Sequence, residues 1–286
     1  MFRFQLKLKS LKAKIRKWNR EEFGNIFEDK KQLLMELDLI NRKGMETGWN
    51  EEMKKTEKEL MEQLEAWEKQ EALYWQQKAR VKWLKEGERN TKLFHNSVIQ
   101  NRNSSRIQRL KIINGDRVDT RREIETELTQ YFLEILREDG GERSREIEQI
   151  TRLIPSMVTA ENNEMLNKPI EMQEVEEAVN QMALGKAPRP DGFTSNFFHL
   201  FWDLVKEDVL DIVEESRNIR GVLKAFNSPF LTLIAKEERV DTPNKFRPIA
   251  LCSIIYKIIS KVIANWLKPL LLKLISSEQS SFVEGR

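Results

Sequence analysis

The chain has 286 residues, of which 33% are charged, with 49 Lys+Arg against 46 Asp+Glu and a mean hydropathy of −0.60. A single cysteine, Cys252, excludes a disulfide framework and a cysteine-rich metal site, and the two histidines, His95 and His199, are too few for a histidine-rich one. The most apolar stretch, Ile254 to Ile275, is broken by Lys257, Lys261, Lys268 and Lys273, and the N-terminus lacks the apolar run of a signal peptide, so no membrane partner and a nuclear or cytoplasmic setting are expected.

From about Leu6 to Ile40, the spacing of Leu8, Leu11, Ile15 and Trp18, continued by Ile26, Leu33, Leu37 and Ile40, predicts one helix. Gly44 and Gly48 bracket a turn. Met53, Leu60, Leu64, Trp67 and Tyr74 then predict a second helix that folds back on the first as an antiparallel hairpin. Glu57, Glu71 and Lys78 interrupt its apolar seam, which weighs against a strict coiled coil.

Between Lys78 and Arg122 there are 13 basic and 4 acidic residues, a net of +9, while the rest of the chain carries −6. Arg80, Lys82, Lys85, Arg89 and Lys92 crowd a helix-turn-helix span around Gly87, with Trp83 and Phe94 interleaved. That mixture suits phosphate contacts and base stacking, and it also suits a plain solvated face. Arg106 to Asp119 reads as a β-hairpin with a two-residue Asn114-Gly115 turn of type I′, and its arms add Arg106, Arg109, Lys111 and Arg117 to the basic patch. A helix from about Thr120 to Leu136 should bury Ile124, Leu128, Tyr131, Phe132 and Ile135. Gly140-Gly141 marks a linker.

Met172 to Met182 predicts a short amphipathic helix. The following loop holds Gly185, Lys186, Pro190, Asp191 and Gly192, and its prolines and glycines make it stiff. It lacks the spacing of a phosphate-cradling P-loop. Thr194 or Ser195 should cap a helix from Asn196 to about Val205 that carries Phe197, Phe198, Phe201 and Trp202. Asp208 and Asp211 further on read as a solvated acidic face rather than a metal pair. Phe230 to Lys236 predicts a short buried strand, which returns through Thr242-Pro243 to Phe246-Arg247-Pro248-Ile249. Lys236 and Arg247 thus stand on the two arms of one finger. A helix follows, with Ile254, Ile255, Ile258, Ile259, Val262 and Ile263 as its apolar side.

Several of these blocks, in this order, resemble the reverse transcriptases of LINE-type (non-LTR) retrotransposons, and most closely the plant ones. They are the basic block ending in Leu93-Phe94, the Gly185-to-Gly192 loop, Phe246-Arg247-Pro248-Ile249, and Tyr256-Lys257-Ile258-Ile259. The resemblance covers roughly residues 65 to 286, with a core at about 229–286. It implies a mainly α fold with small β hairpins. A helical hairpin connector (1–85) would precede a basic hairpin-plus-helix region (86–155) and then the fingers of a right-hand polymerase fold (156–286), truncated before the palm.

The activity implied is that of an RNA-directed DNA polymerase with magnesium, nucleoside triphosphates, an RNA template and a DNA primer or target. Arg247 matches the family's triphosphate-contacting arginine. Lys236 matches the lysine of an Ile-Pro-Lys motif in which Ala235 replaces the proline. The sequence contains no Tyr-x-Asp-Asp and stops at Phe282-Val-Glu-Gly-Arg286, ahead of the palm aspartates of the family. The chain is therefore expected to bind no metal and to be inactive alone. A non-enzymatic RNA- or DNA-binding remnant is the alternative. Departures from the family pattern are Leu93, Arg189 in place of a glycine, Trp266 in place of an arginine, and Ser281. Arg189 is expected to strain its loop if the replaced glycine needs a positive φ.

Overall fold

The computed structural model describes residues 1–79, 91–112, 115–137, 144–152, 157–186, 189–237 and 240–275. The elements run α1 (Phe2–Trp18), α2 (Ile26–Thr47), α3 (Glu51–Ala79), α4 (Thr91–Ser104), β1 (Leu110–Lys111), β2 (Arg117–Val118) and α5 (Arg121–Leu136). They continue with α6 (Ser144–Thr151), α7 (Ala160–Asn167), α8 (Met172–Asn180), α9 (Ser195–Leu200), α10 (Trp202–Ile219), β3 (Phe230–Ala235), β4 (Phe246–Leu251) and α11 (Ile254–Leu274). The chain divides into two compact units: Leu6–Arg106, and Met1–Gln5 with Ile107–Arg286. This division differs from the three-part expectation, because the basic hairpin and the fingers segment fall in one unit.

In the Leu6–Arg106 unit the expected first helix is two helices. A single π turn, Asn19–Phe23, ends α1, and the Asn25 side chain caps α2 by accepting from the Phe27 N–H at 3.2 Å. Gly44, expected in a turn, lies buried inside α2, where a Cβ would come within 2.6 Å of the Trp49 ring; only Gly48 ends the helix. The helices α2 and α3 pair as expected, around Leu33, Leu37 and Leu60 with Ile40, Leu64 and Trp67 against them. Lys30 fastens the pair with its ammonium 2.8 Å from Glu71 and 3.5 Å from Glu68. Burial alone would lower its pKa, but the two carboxylates outweigh burial and raise it. Phe27, Tyr74, Trp75 and His95 form a chain of edge-on ring contacts that brings α4 onto α3.

In the other unit α8, α10 and α11 pack together, with Val175, Val179, Val209, Ile212, Val213, Ile255, Ile258 and Val262 fully buried. The predicted apolar side of α11 is buried except for Ile263, which is 52% exposed. Ser253 starts this helix: its hydroxyl accepts from the Tyr256 N–H at 3.1 Å and donates to the Phe226 carbonyl at 2.9 Å. The helix expected from Asn196 to Val205 breaks at Phe201 into α9 and α10. Thr194 stands at the N-cap of α9 as expected but makes no side-chain cap bond, and the buried Ser195 hydroxyl donates to the Ala183 carbonyl at 2.8 Å, which ties the loop before it to the helix.

Two further expectations change. Ile135 on α5 is 57% exposed; Ile124, Leu128 and Phe132 are buried in the core and Tyr131 packs against it, as expected. Strand β3 is not buried. It pairs only with β4, so Phe230, Leu231 and Ile234 are exposed.

Candidate nucleotide and nucleic-acid interface

The finger predicted around Arg247 is an antiparallel pair in which Ile234 faces Arg247 and Ala235 faces Phe246. Pro248 is tolerated because this sheet has only two strands. Along β4 only Phe246 is buried; Arg247, the next residue and so on the other face of the strand, is exposed, as are Pro248, Ile249 and Ala250. At the open end, the Lys236 N–H donates to the Lys245 carbonyl at 2.9 Å, and its ammonium donates to the Asn244 carbonyl at 2.6 Å. Pro243–Lys245 forms a 3-10 turn that brings this carbonyl across, and Lys245 pairs with Glu237 at 3.5 Å. Lys236 is thus held in place by one of its three donors and keeps two for an anion. Arg247 presents a planar fork suited to two phosphate oxygens at once.

The second hairpin stands on the same core. Leu110 of β1 is fully buried in a cluster with Ile124, Leu128 and Phe132 of α5 and with Phe246 of β4. The Lys111 N–H donates to the Asp241 carbonyl at 2.5 Å. One apolar cluster therefore carries Arg109, Lys111 and Arg117 on one hairpin and Lys236 and Arg247 on the other. All five are exposed. Arg106, also exposed, is counted with the other unit. Of the expected Asn114-Gly115 turn, Asn114 lies outside the described residues; on either side Lys111 faces Arg117, the Ile112 N–H donates to the Asp116 carbonyl, and the Gly115 N–H donates to the Ile112 carbonyl. Gly115 has φ +89°, a value that favours glycine.

The proline-glycine loop lies beside the start of α11. Gly185 and Gly192 have φ +68° and +91°, so both need to be glycine. Arg189 is not among the described residues with positive φ, so the expected strain is absent there. The Asp191 carboxylate accepts from the Phe193 N–H at 3.0 Å, and the Gly185 N–H donates to the Asn196 side chain at 2.9 Å. Pro190 is half-buried. Lys257 is held below the ordinary lysine value, first by burial and then by the Arg189 cation; Cys252 opposes this, and Lys186 adds the smallest effect.

Trp266 replaces the expected arginine without loss of a donor. Its indole N–H reaches Glu174 at 2.8 Å, and Lys168 approaches the same carboxylate at 3.1 Å. Burial pushes Glu174 up, but it is outweighed by the Glu171 backbone N–H, Lys168 and Trp266, so its pKa ends below the usual range.

Arg80, Lys82, Lys85 and Arg89 lie outside the described residues, as do the side chain of Lys92 and Ser281. Among the described residues no three His, Cys, Asp or Glu side chains are grouped to hold a metal, Asp208 and Asp211 included, and no helix is long and apolar enough to cross a membrane. Helix α1 is strongly basic, as the short basic and amphipathic run Met1 to Lys9 already indicates in the sequence: Phe2–Trp18 holds seven basic and no acidic residues.

No family model matches the chain. Over 130 residues, 46% of its length, it is 32% identical to the Transposon TX1 uncharacterized 149 kDa protein of Xenopus laevis, and the matched part is 10% of that protein. The similarity supports a transposon origin.

Proposed function

We propose that the chain is part of the RNA-directed DNA polymerase of a non-LTR retrotransposon, of the kind the sequence blocks resemble in plants. The observation that carries this reading is the shared cluster of Leu110 and Phe246, which sets two cationic hairpins on one support. Arg247 and Lys236 contact the phosphates of a nucleoside triphosphate, whose charge needs fixed donors. Arg109, Lys111 and Arg117, with the Arg80-to-Lys92 segment, hold the template and primer through their backbones. Magnesium belongs to the intact enzyme, because the 286 residues contain no Tyr-x-Asp-Asp. The role assigned to this chain is binding and positioning, not chemistry.

The test is a titration of the purified chain with a fluorescent deoxynucleoside triphosphate. Arg247→Ala should weaken binding about 10-fold or more, as loss of a charged hydrogen-bonding partner does. Equal affinity of the parent chain and this variant would overturn the assignment. The +9 segment favours a second reading, a non-enzymatic nucleic-acid-binding protein. Salt-dependent RNA or DNA binding with no triphosphate binding at all would select it.

A further inference from the structure

Helix α1 lies outside every block used above, and its surface calls for a polyanion. Its seven basic residues fall into two rows. Arg3, Lys7, Lys14 and Lys17 make one, and Lys9, Lys12 and Arg16 make the other, with the apolar stripe of Phe4, Leu8 and Leu11 between them. Phe4 and Leu8 are only 3% and 5% exposed, so the apolar stripe over the first half of the helix is already covered. What α1 offers to solvent is its seven cations together with Phe2, Leu6, Ile15 and Trp18, which are scattered around the helix and make no continuous apolar stripe. This counts against insertion into a lipid surface, which needs a free apolar face.

The second row runs on past the end of the helix. Asn19–Phe23 is a π turn, and Ile15, Arg16, Asn19, Arg20 and Gly24 line an open cleft of about 610 Å³ there. Lys9, Arg16 and Arg20 are all exposed. Seven residues of helix separate Lys9 from Arg16, roughly 10 Å along the axis, so the two long side chains can reach separate phosphates of one strand. Trp18 stands at the same end and is 51% exposed, in position to stack on an unpaired base.

We propose that Lys9, Arg16 and Arg20 form a binding surface for single-stranded nucleic acid, separate from the two hairpins. The inference does not rest on the polymerase reading, since it needs only α1 and the turn after it.

The test compares the full chain with the Lys9→Gln, Arg16→Gln, Arg20→Gln triple variant. Binding of a fluorescent single-stranded RNA of mixed sequence is measured by anisotropy across a salt series. Removing three phosphate contacts should weaken binding by about 10-fold or more and reduce the slope of log K against log salt by roughly 2. Trp18→Ala should weaken single-strand binding more than duplex binding. The substituted side chains are exposed, and an unchanged circular dichroism melt establishes that the variants are folded.

An unchanged affinity and salt slope in the triple variant would overturn the proposal. So would loss of binding to vesicles containing phosphatidylserine with RNA binding intact, which would make the helix a lipid contact. Failure of the Arg247 test leaves this proposal standing, and the reverse also holds.

Discussion

Trp266 is the residue where a departure from an expected pattern is most fully absorbed. Its indole N–H takes one Glu174 oxygen, and Lys168 also serves that carboxylate. The sign of the pH effect follows. A carboxyl held below its usual pKa adds stability above the unfolded value, and this is lost as pH falls through the folded value. Trp266→Phe should therefore cost about 1 kcal/mol at neutral pH, and the gap should narrow on acidification as Glu174 takes its proton. Chemical denaturation at pH 7 and at pH 3 checks this; a pH-independent difference would assign the loss to packing alone. Sequence reasoning could mark Trp266 as unusual but could not place Glu174, which lies 92 positions away, beside it.

At the scale of elements, the two hairpins were legible and their union was not. Alternation and an Asn-Gly pair announce β1 and β2, and Arg247-Pro248 announces the finger. Nothing local indicates that Leu110 meets Phe246, because each is one apolar residue in a short strand. Similar reasons explain the misread helices. Period-3.6 patterns run straight across the π turn after α1 and across Phe201, since a break of one turn barely shifts the apolar face. The shared cluster makes the hairpins energetically dependent. Leu110→Ala and Phe246→Ala should each cost about 3 kcal/mol. The double variant should cost less than their sum, by 0.5 kcal/mol or more as is usual for residues in one cluster. Urea unfolding of all four proteins measures the coupling, and strict additivity would mean that the hairpins are independent.

Over the whole molecule the two compact units differ in what holds them. Among the described residues the Leu6–Arg106 unit buries Leu8, Leu33, Leu37, Leu60, Ala79 and Phe94, and Lys30 and a row of aromatic edges strengthen it. The other unit buries ten large side chains almost completely. Hydrophobic stabilisation follows buried apolar area, so the helical hairpin should open first. Hydrogen exchange should show α2 and α3 amides exchanging faster than those of α8, α10 and α11; equal protection throughout would indicate a single cooperative unit. The charge asymmetry was legible by counting between Lys78 and Arg122 and in the basic run at the N-terminus, but the two rows of α1 needed the helix register to be seen.

The Leu110–Phe246 contact also sets a schedule for synthesis. The two residues are 136 positions apart, and the whole of α5 to β3 is made between them. At about 5–20 residues per second, Leu110 is made roughly 7 to 27 seconds before Phe246. Throughout that interval Leu110 and the inner side of α5 have each other, Ile107 and Val118 to cover them, but not Phe246. A ribosome carrying this chain therefore displays a basic hairpin with an unfinished apolar underside, and β4 is the segment that closes it.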